Sequence, residues 1–180
     1  MTMHPSRQTE MSQGPSQWFQ VQAIGTVRRA DGGATDAATF FDPWQESVLE
    51  IEPRWADGLL GIEQYSHLVV LFWLDRAEPR RAAESHRAAE DRVEATEIGF
   101  FGTRTPRRPN PIGIACPRLL RRDEHRLFVR GIDAWDGTPL LDLKGYAPRD
   151  ELRPDARVPA WLTELWQQHD KEGHGPPEGS

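Results

Sequence analysis

The sequence predicts a mainly β protein, a small antiparallel β-barrel with accessory helices, on three observations. About six short segments rich in branched and aromatic residues recur along the chain, separated by turns containing Gly, Pro or Asp. The longest apolar run, LVVLFWL at 68–74, has the length of a buried strand and is far too short to cross a bilayer. No GxGxxG follows a strand-like segment, so nothing supports a Rossmann nucleotide site. Several short strands with few helices are best satisfied by an antiparallel sheet that closes, or nearly closes, on itself.

Each element has its own reason. Residues 1–16 are polar, with Gly, Pro and Ser, and read as a disordered tail. The domain spans 17–169 and opens with strand-like content in WFQVQAIGTVRR. ADGGATDAATFFDP (30–43) reads as a loop, in which Phe40 and Phe41, with Trp44 just beyond, are free to cover an apolar surface. SVLEIE (47–52) is a short strand. WADGLLGIEQYSH (55–67) has helical spacing broken by glycines, which predicts one or two turns. HLVVLFWL follows as the main core strand. Residues 76–97 are Ala-rich and charged in both signs, a variable insertion suited neither to a core nor to a catalytic centre. Strand character returns at IGFFGT (98–103), IGIACPRLL (112–120) and HRLFVRGI (125–132), the last two joined as a hairpin through RRDEH. WDGT makes an Asp-Gly turn into PLLDLKGY (139–146). A helix over 158–169 places Trp161, Leu162, Leu165 and Trp166 on one face, and 170–180 is a solvated tail.

At 180 residues the chain suits one domain with a real core. Charged residues make up 28% and hydrophobic ones 37%, the balance of a soluble protein. The first residues contain no apolar stretch of the secretory type, and cytoplasm is the default location. A single cysteine, Cys116, excludes an internal disulfide and a cysteine-based zinc site; it reads as a small core residue on a strand. Six scattered histidines offer no metal-ligand spacing, so no metal is expected. His67, before the core strand, reads as a hydrogen-bonded structural residue.

Charge distribution is more informative than total charge. The chain carries a formal net charge of −6, yet GTRTPRRPNPIGIACPRLLRR (102–122) contains six arginines, four prolines and no acid. That segment is +6, so the remainder of the chain sits at −12. A local basic surface on an acidic body selects an anionic partner without binding nucleic acid indiscriminately. Pro106, Pro109 and Pro111 fix backbone angles and push their predecessors toward extended conformations. The loop is therefore stiff before any ligand arrives and aims Arg104, Arg107, Arg108 and Asn110 at little ordering cost. The alternative is a stiff connector carrying solvated arginines. In DAWDGTPLLDLKGY (133–146), Gly137 allows a tight turn whose backbone approaches a ligand closely. Asp142 and Lys144, two apart on a strand, share one face. They pair either with each other or with a group held between them.

Taken together and in this order, IGTVRR, DGLLGIEQYSHLVVLFW, FGTRTPRRPNPIG and IDAWDGTPLLDLKGY resemble the TrmO/TsaA-like family. These are S-adenosylmethionine-dependent methyltransferases whose type activity is N6-methylation of N6-threonylcarbamoyladenosine in tRNA. The resemblance covers about residues 21–148, and its two long motifs are highly specific. It implies a non-Rossmann β-barrel with S-adenosylmethionine bound near a homodimer interface, and tRNA as the acceptor. Carried over position by position, it implies that Asp75, Arg76, Arg104, Asp136, Gly137, Thr138, Pro139 and Leu140 lie on the cofactor side. It assigns Arg107, Arg108 and Asn110 to the anionic substrate. Three departures stand out: the first loop lacks the family's PRQ triplet, Asp75 replaces a common histidine, and Gly145 replaces a usual proline.

The acceptor nitrogen of a carbamoylated adenine is weakly nucleophilic and gains from loss of its proton. Asp142 is the candidate base, Lys144 polarises the urea carbonyl, and Tyr146, which this pair would orient, is the third candidate catalytic residue. Two rival readings remain: a methyltransferase of the same fold acting on a small molecule, and a non-catalytic module that binds S-adenosylmethionine or RNA. A homodimer is expected because Phe40, Phe41, Trp44, Trp161 and Trp166 exceed what a small core absorbs; packing of the last helix over a barrel end is the competing account for the tryptophans.

Overall fold

The computed structural model describes residues 19–29, 45–77 and 98–171. The expected tail 1–16, the first-loop aromatics Phe40, Phe41 and Trp44, and almost all of the 76–97 insertion lie outside the described residues.

Seven strands form one antiparallel sheet: β1 (Gly25–Arg29), β2 (Glu46–Ile51), β3 (Leu68–Trp73), β4 (Ile112–Ala115), β5 (Arg118–Asp123), β6 (Arg126–Arg130) and β7 (Pro139–Gly145). Their spatial order is β4-β3-β7-β1-β2-β6-β5. Short 3-10 turns occupy Pro53–Leu59, Ile62–Gln64 and Phe100–Gly102, and two helices follow the sheet, α1 (Pro148–Glu151) and α2 (Ala160–Lys171).

Alternation along the strands explains the core. Val27, Leu49, Leu127 and Val129 are wholly buried on β1, β2 and β6, and Leu68, Val70, Phe72 and Leu140 fill the other half of the same cluster. Leu59, from the first 3-10 turn, caps it. Gly25 is required where β1 meets β2, because a Cβ there would stand 2.2 Å from the Glu50 carbonyl oxygen.

The expected barrel is not closed. The sheet has two ends, β4 and β5, which are consecutive in the chain and were expected to be one strand. Pro117 interrupts them: it has no N–H to give to a ladder, and the chain bends there. Its carbonyl accepts from the Leu68 N–H at 3.0 Å, and the Leu119 N–H donates to the Ser66 carbonyl at 2.8 Å. This corner, with a single bridge between His67 and Arg118, brings the two ends together without a continuous ladder.

Three further expectations need correction. Residues 98–103 are not a strand, because Phe100–Gly102 closes as a 3-10 turn with the Thr103 N–H donating to the Phe100 carbonyl at 3.3 Å. Cys116 is exposed rather than in the core, since it falls at the corner after Ala115 with its side chain on the outward phase of the strand. The last helix continues to Lys171, past the expected end at 169. On that helix Trp161, Leu162 and Leu165 are partly buried, whereas Trp166 is 49% exposed. Among the described residues, no helix is long and apolar enough to cross a membrane.

Candidate functional site

Three stretches far apart in sequence converge on one cavity of about 620 Å³. The end of β3 supplies Phe72, Leu74, Asp75, Arg76 and Ala77. The proline-rich loop and β4 supply Thr103, Arg104, Pro106, Arg108, Ile112, Gly113 and Ile114. The segment before β7 supplies Asp133, Ala134, Trp135 and Thr138.

The β3 end reaches this place because its ladder continues beyond Trp73. The Leu74 N–H donates to the Pro111 carbonyl at 2.8 Å, which pins the end of β3 to the end of the loop. Arg76 then turns across the cavity. Its Nη2 donates to the Asp136 carbonyl at 3.2 Å, and its guanidinium lies 5.3 Å from the centre of the Trp135 ring. Asp75 and Arg76 are both exposed to solvent at this rim.

The turn at 135–138 is tied to β1 by three hydrogen bonds and closed by a fourth within itself. The Asp136 Oδ1 accepts from the Arg29 N–H at 3.0 Å, and the Gly137 N–H donates to the Val27 carbonyl at 2.8 Å. The Val27 N–H donates to the Thr138 carbonyl at 2.9 Å, and the Thr138 N–H to the Trp135 carbonyl at 3.2 Å. Gly137 has φ 82, in the left-handed region that this turn requires. Asp136 and Gly137 therefore build the wall rather than line it, and Pro139 pairs with Thr26 in the sheet. Leu140 is wholly buried in the core. The exposed aliphatic side chains in the cavity are Ile112 and Ile114.

In the proline-rich loop, Arg108 holds the backbone together. Its Nη1 donates to the Thr103 carbonyl at 2.9 Å and to the Thr105 carbonyl at 3.4 Å, with the guanidinium 5.9 Å from the Phe101 ring centre. Arg104 differs: among the described residues it makes no hydrogen bond and no ion pair, and it faces the cavity. Arg107 and Asn110 are exposed and lie outside the cavity lining; Asn110 gives its carbonyl to the Ile112 N–H at 2.8 Å.

Asp142, Lys144 and Tyr146 are not part of the cavity. Asp142 and Lys144 form an ion pair with each other, opposite Leu71 and Val69 on β3. Tyr146 donates its backbone N–H to the His67 carbonyl at 3.0 Å, and its ring meets the His67 ring edge-on at 6.4 Å. His67 also has its Nδ1 3.0 Å from the Ser66 Oγ, as a structural histidine should.

The acidic residue that sequence reasoning missed is Asp133. It is exposed between the buried Ile132 and Ala134 and lines the cavity. Water reaches it, but the surrounding walls desolvate it and raise its pKa above the ordinary aspartate value; the Arg29 guanidinium pulls more weakly in the other direction. An acid between two apolar residues was the available signal. The Cys116 thiol is also pushed up, by desolvation first and then by Glu151, which argues against a reactive thiolate.

The chain is similar to a probable S-adenosyl-L-methionine-binding protein of Archaeoglobus fulgidus, 42% identical over 148 residues, covering 81% of this chain and 38% of that protein. A second relative, a probable S-adenosyl-L-methionine-binding protein of Pyrococcus abyssi, is 38% identical over 117 residues, covering 65% of this chain and 60% of that protein. The chain thus covers less than two thirds of the length of each of these curated relatives. A crystal structure of TrmO from Pseudomonas aeruginosa superposes with a TM-score of 0.59 at 31% identity, covering 80% of this chain and 63% of that one. The sequence profile of the tRNA-methyltransferase O N-terminal domain matches residues 38–151. That match takes in the end of β3, the proline-rich loop and the turn before β7, and the chain belongs to the tRNA-methyltransferase O N-terminal domain family.

Proposed function

We propose that this protein is an S-adenosylmethionine-dependent methyltransferase whose acceptor is N6-threonylcarbamoyladenosine in tRNA. One observation carries the reading: three of the four family motifs, separated along the chain, meet around one cavity that contains both guanidinium and carboxylate groups. The relatives' names supply the class of cofactor.

The cavity fits such a cofactor on its own chemistry. Its volume of about 620 Å³ is in the range of ligand sites. Arg104, with no internal partner among the described residues, is free to take the amino-acid carboxylate. Asp75 is an acceptor suited to the ammonium or the ribose hydroxyls. Ile112, Ile114 and Phe72 offer apolar surface for the adenine. When bound, the cofactor supplies a methyl group activated by a positively charged sulfur.

The chain's own residues contribute positioning and proton handling. The clamp from Arg76 to Asp136 and the brace from Arg108 to Thr103 hold the walls before ligand arrives, which favours an in-line approach. Asp133 is the carboxyl in the cavity whose basicity is raised, so we assign to it the proton of the attacking nitrogen; Asp142 is held by Lys144 outside the cavity. As the acceptor nitrogen takes the methyl group, its proton passes to Asp133 and then to water.

A homodimer is part of the same reading. Leu152, Val158 and Trp166 are exposed apolar side chains on the stretch that follows the sheet, and pairing would cover them. Light scattering is expected to give about 41 kDa, two 20.5 kDa chains.

Mass spectrometry of tRNA nucleosides from a deletion strain, with and without complementation, tests the acceptor. Loss of a methylated threonylcarbamoyladenosine, restored on complementation, is expected. An unchanged profile, with cofactor binding intact, would assign the cavity to a small-molecule acceptor or to a binding module.

A further inference from the structure

Most ion pairs in the sheet are conventional. Arg28 pairs with Glu50, Arg126 with Asp123, and Arg122 with Glu63. Three arginines on β5 and β6 depart from that habit. Arg118 and Arg130 are directly opposite one another in the ladder, both exposed, and neither has an ion pair or hydrogen bond among the described residues. Like charges placed opposite each other destabilise a sheet. Glu46 is the neighbour of Arg130 on β2 but forms no ion pair with it.

A register shift between Leu119 and Arg121 adds the third. Leu119 faces Val129, and after the irregularity Arg121 faces Phe128, so the bulge turns Arg121 onto the face that already holds Arg118 and Arg130. There its guanidinium stacks on the Phe128 ring, 3.1 Å from the ring centre. A contact of this kind engages one face of the group, and its in-plane N–H donors can still meet an acceptor. The patch continues from the cavity: Ile112, Ile114, Cys116 and Arg118 alternate outward along β4, the corner and β5. From Ile114 to Arg118 the contour is about 13 Å at most.

We propose that Arg118, Arg121 and Arg130 form a second anion-binding surface, outside the cavity, that grips the phosphate backbone of an RNA whose modified nucleotide occupies the cavity. The inference rests on the RNA-acceptor reading above. Phosphate resolves the like-charge pair, accepts from the stacked guanidinium fork, and explains why a protein of net charge −6 leaves these three groups without acids. A folded polyanion is steered to this side of the molecule, while the acidic remainder repels it elsewhere.

The test is fluorescence anisotropy of unmodified bulk tRNA binding to the full chain across a salt series, for wild type and for Arg118→Gln with Arg130→Gln. Calorimetry with S-adenosylmethionine and thermal melting run in parallel. The log–log salt slope of the double variant is expected to be shallower by about 1.4 to 1.8, two phosphate contacts at about 0.7 to 0.9 each. Cofactor affinity should be unchanged, and the melting temperature unchanged or raised, because the like-charge pair is gone. A slope and affinity equal to wild type overturn the surface while leaving the RNA reading in place. Wild-type protein that binds cofactor but no tRNA overturns both. A double variant that melts lower and loses cofactor affinity assigns these arginines a structural role, and overturns the proposal.

Discussion

The Phe72 ring lies directly against Gly113: a Cβ at 113 would stand 2.3 Å from the Phe72 Cε2 and 2.6 Å from its Cζ. The two residues are cross-strand partners on β3 and β4, and both line the cavity. Glycine at this point lets an aromatic ring serve as cavity floor. Gly113→Ala is expected to displace the ring at a cost of about 1–3 kcal/mol, as overpacking of a filled site does. Urea unfolding should report the loss, and calorimetry a weaker cofactor affinity. Unaltered stability together with unaltered affinity would show that the ring has room to yield.

Arg104 and Arg108 are four apart in one loop and should fail differently. Arg104→Ala removes a side chain that holds nothing else in place, so cofactor affinity should drop by a factor of about 10–100 with the melting temperature unchanged. Arg121→Ala, remote from the cavity lining, is the control and should leave that affinity alone. Equal affinities for the two variants contradict the assignment.

Arg108→Ala should instead loosen the loop that its guanidinium braces at Thr103 and Thr105. Faster amide exchange across 103–111 is expected, with cofactor affinity reduced as a consequence. Exchange rates like those of wild type would leave the prolines as the whole source of the loop's rigidity.

Asp133 gives a dependence on pH with a definite sign. Its raised pKa means that the folded protein holds this proton more tightly than the unfolded chain does. Stability is therefore lost as pH rises from the ordinary aspartate range through the folded value, and none is lost below that range. Asp133→Asn mimics the neutral form. It should melt higher than wild type at pH 7, converge with it near pH 3, and abolish methyl transfer. A variant melting lower at pH 7 would mean that the attraction of Arg29 outweighs desolvation.

Gly145 stands where the family usually has proline, and the structure supplies a local reason. The Tyr65 ring covers it so closely that a Cβ would meet three ring carbons at 2.5 Å. Gly145→Ala should destabilise the chain, and Tyr65→Ala in the same molecule should recover part of the loss. Additive effects in a double-mutant cycle would refute the contact.

Much of this was legible in the sequence because it follows from short-range rules. The strand LVVLFWL, the turn at Gly137 and the hairpin around Glu124 come from apolar patterning and backbone preference. The family resemblance implied that Asp75, Arg76, Arg104 and Thr138 lie on the cofactor side, and these four side chains line one cavity. What escaped was long-range or depended on phase. A single proline split 112–120 into two sheet ends, and the convergence of Ile112 and Asp133 on one cavity follows from tertiary packing. Asp142 and Lys144 were correctly expected to share a face, but only the pairing of β7 with β3 shows which face it is. The bulge at Leu120, which turns Arg121, leaves no mark in the composition at all.

Residues 103–123 make cavity wall, sheet edge, corner and arginine face in one uninterrupted run. Because strand faces repeat every two residues, losing or gaining one residue between Ile112 and Ala115 would exchange inside and outside for part of this run at once. Gly113 would leave Phe72. Divergence here can proceed by substitution, one side chain at a time, but hardly by changes of length.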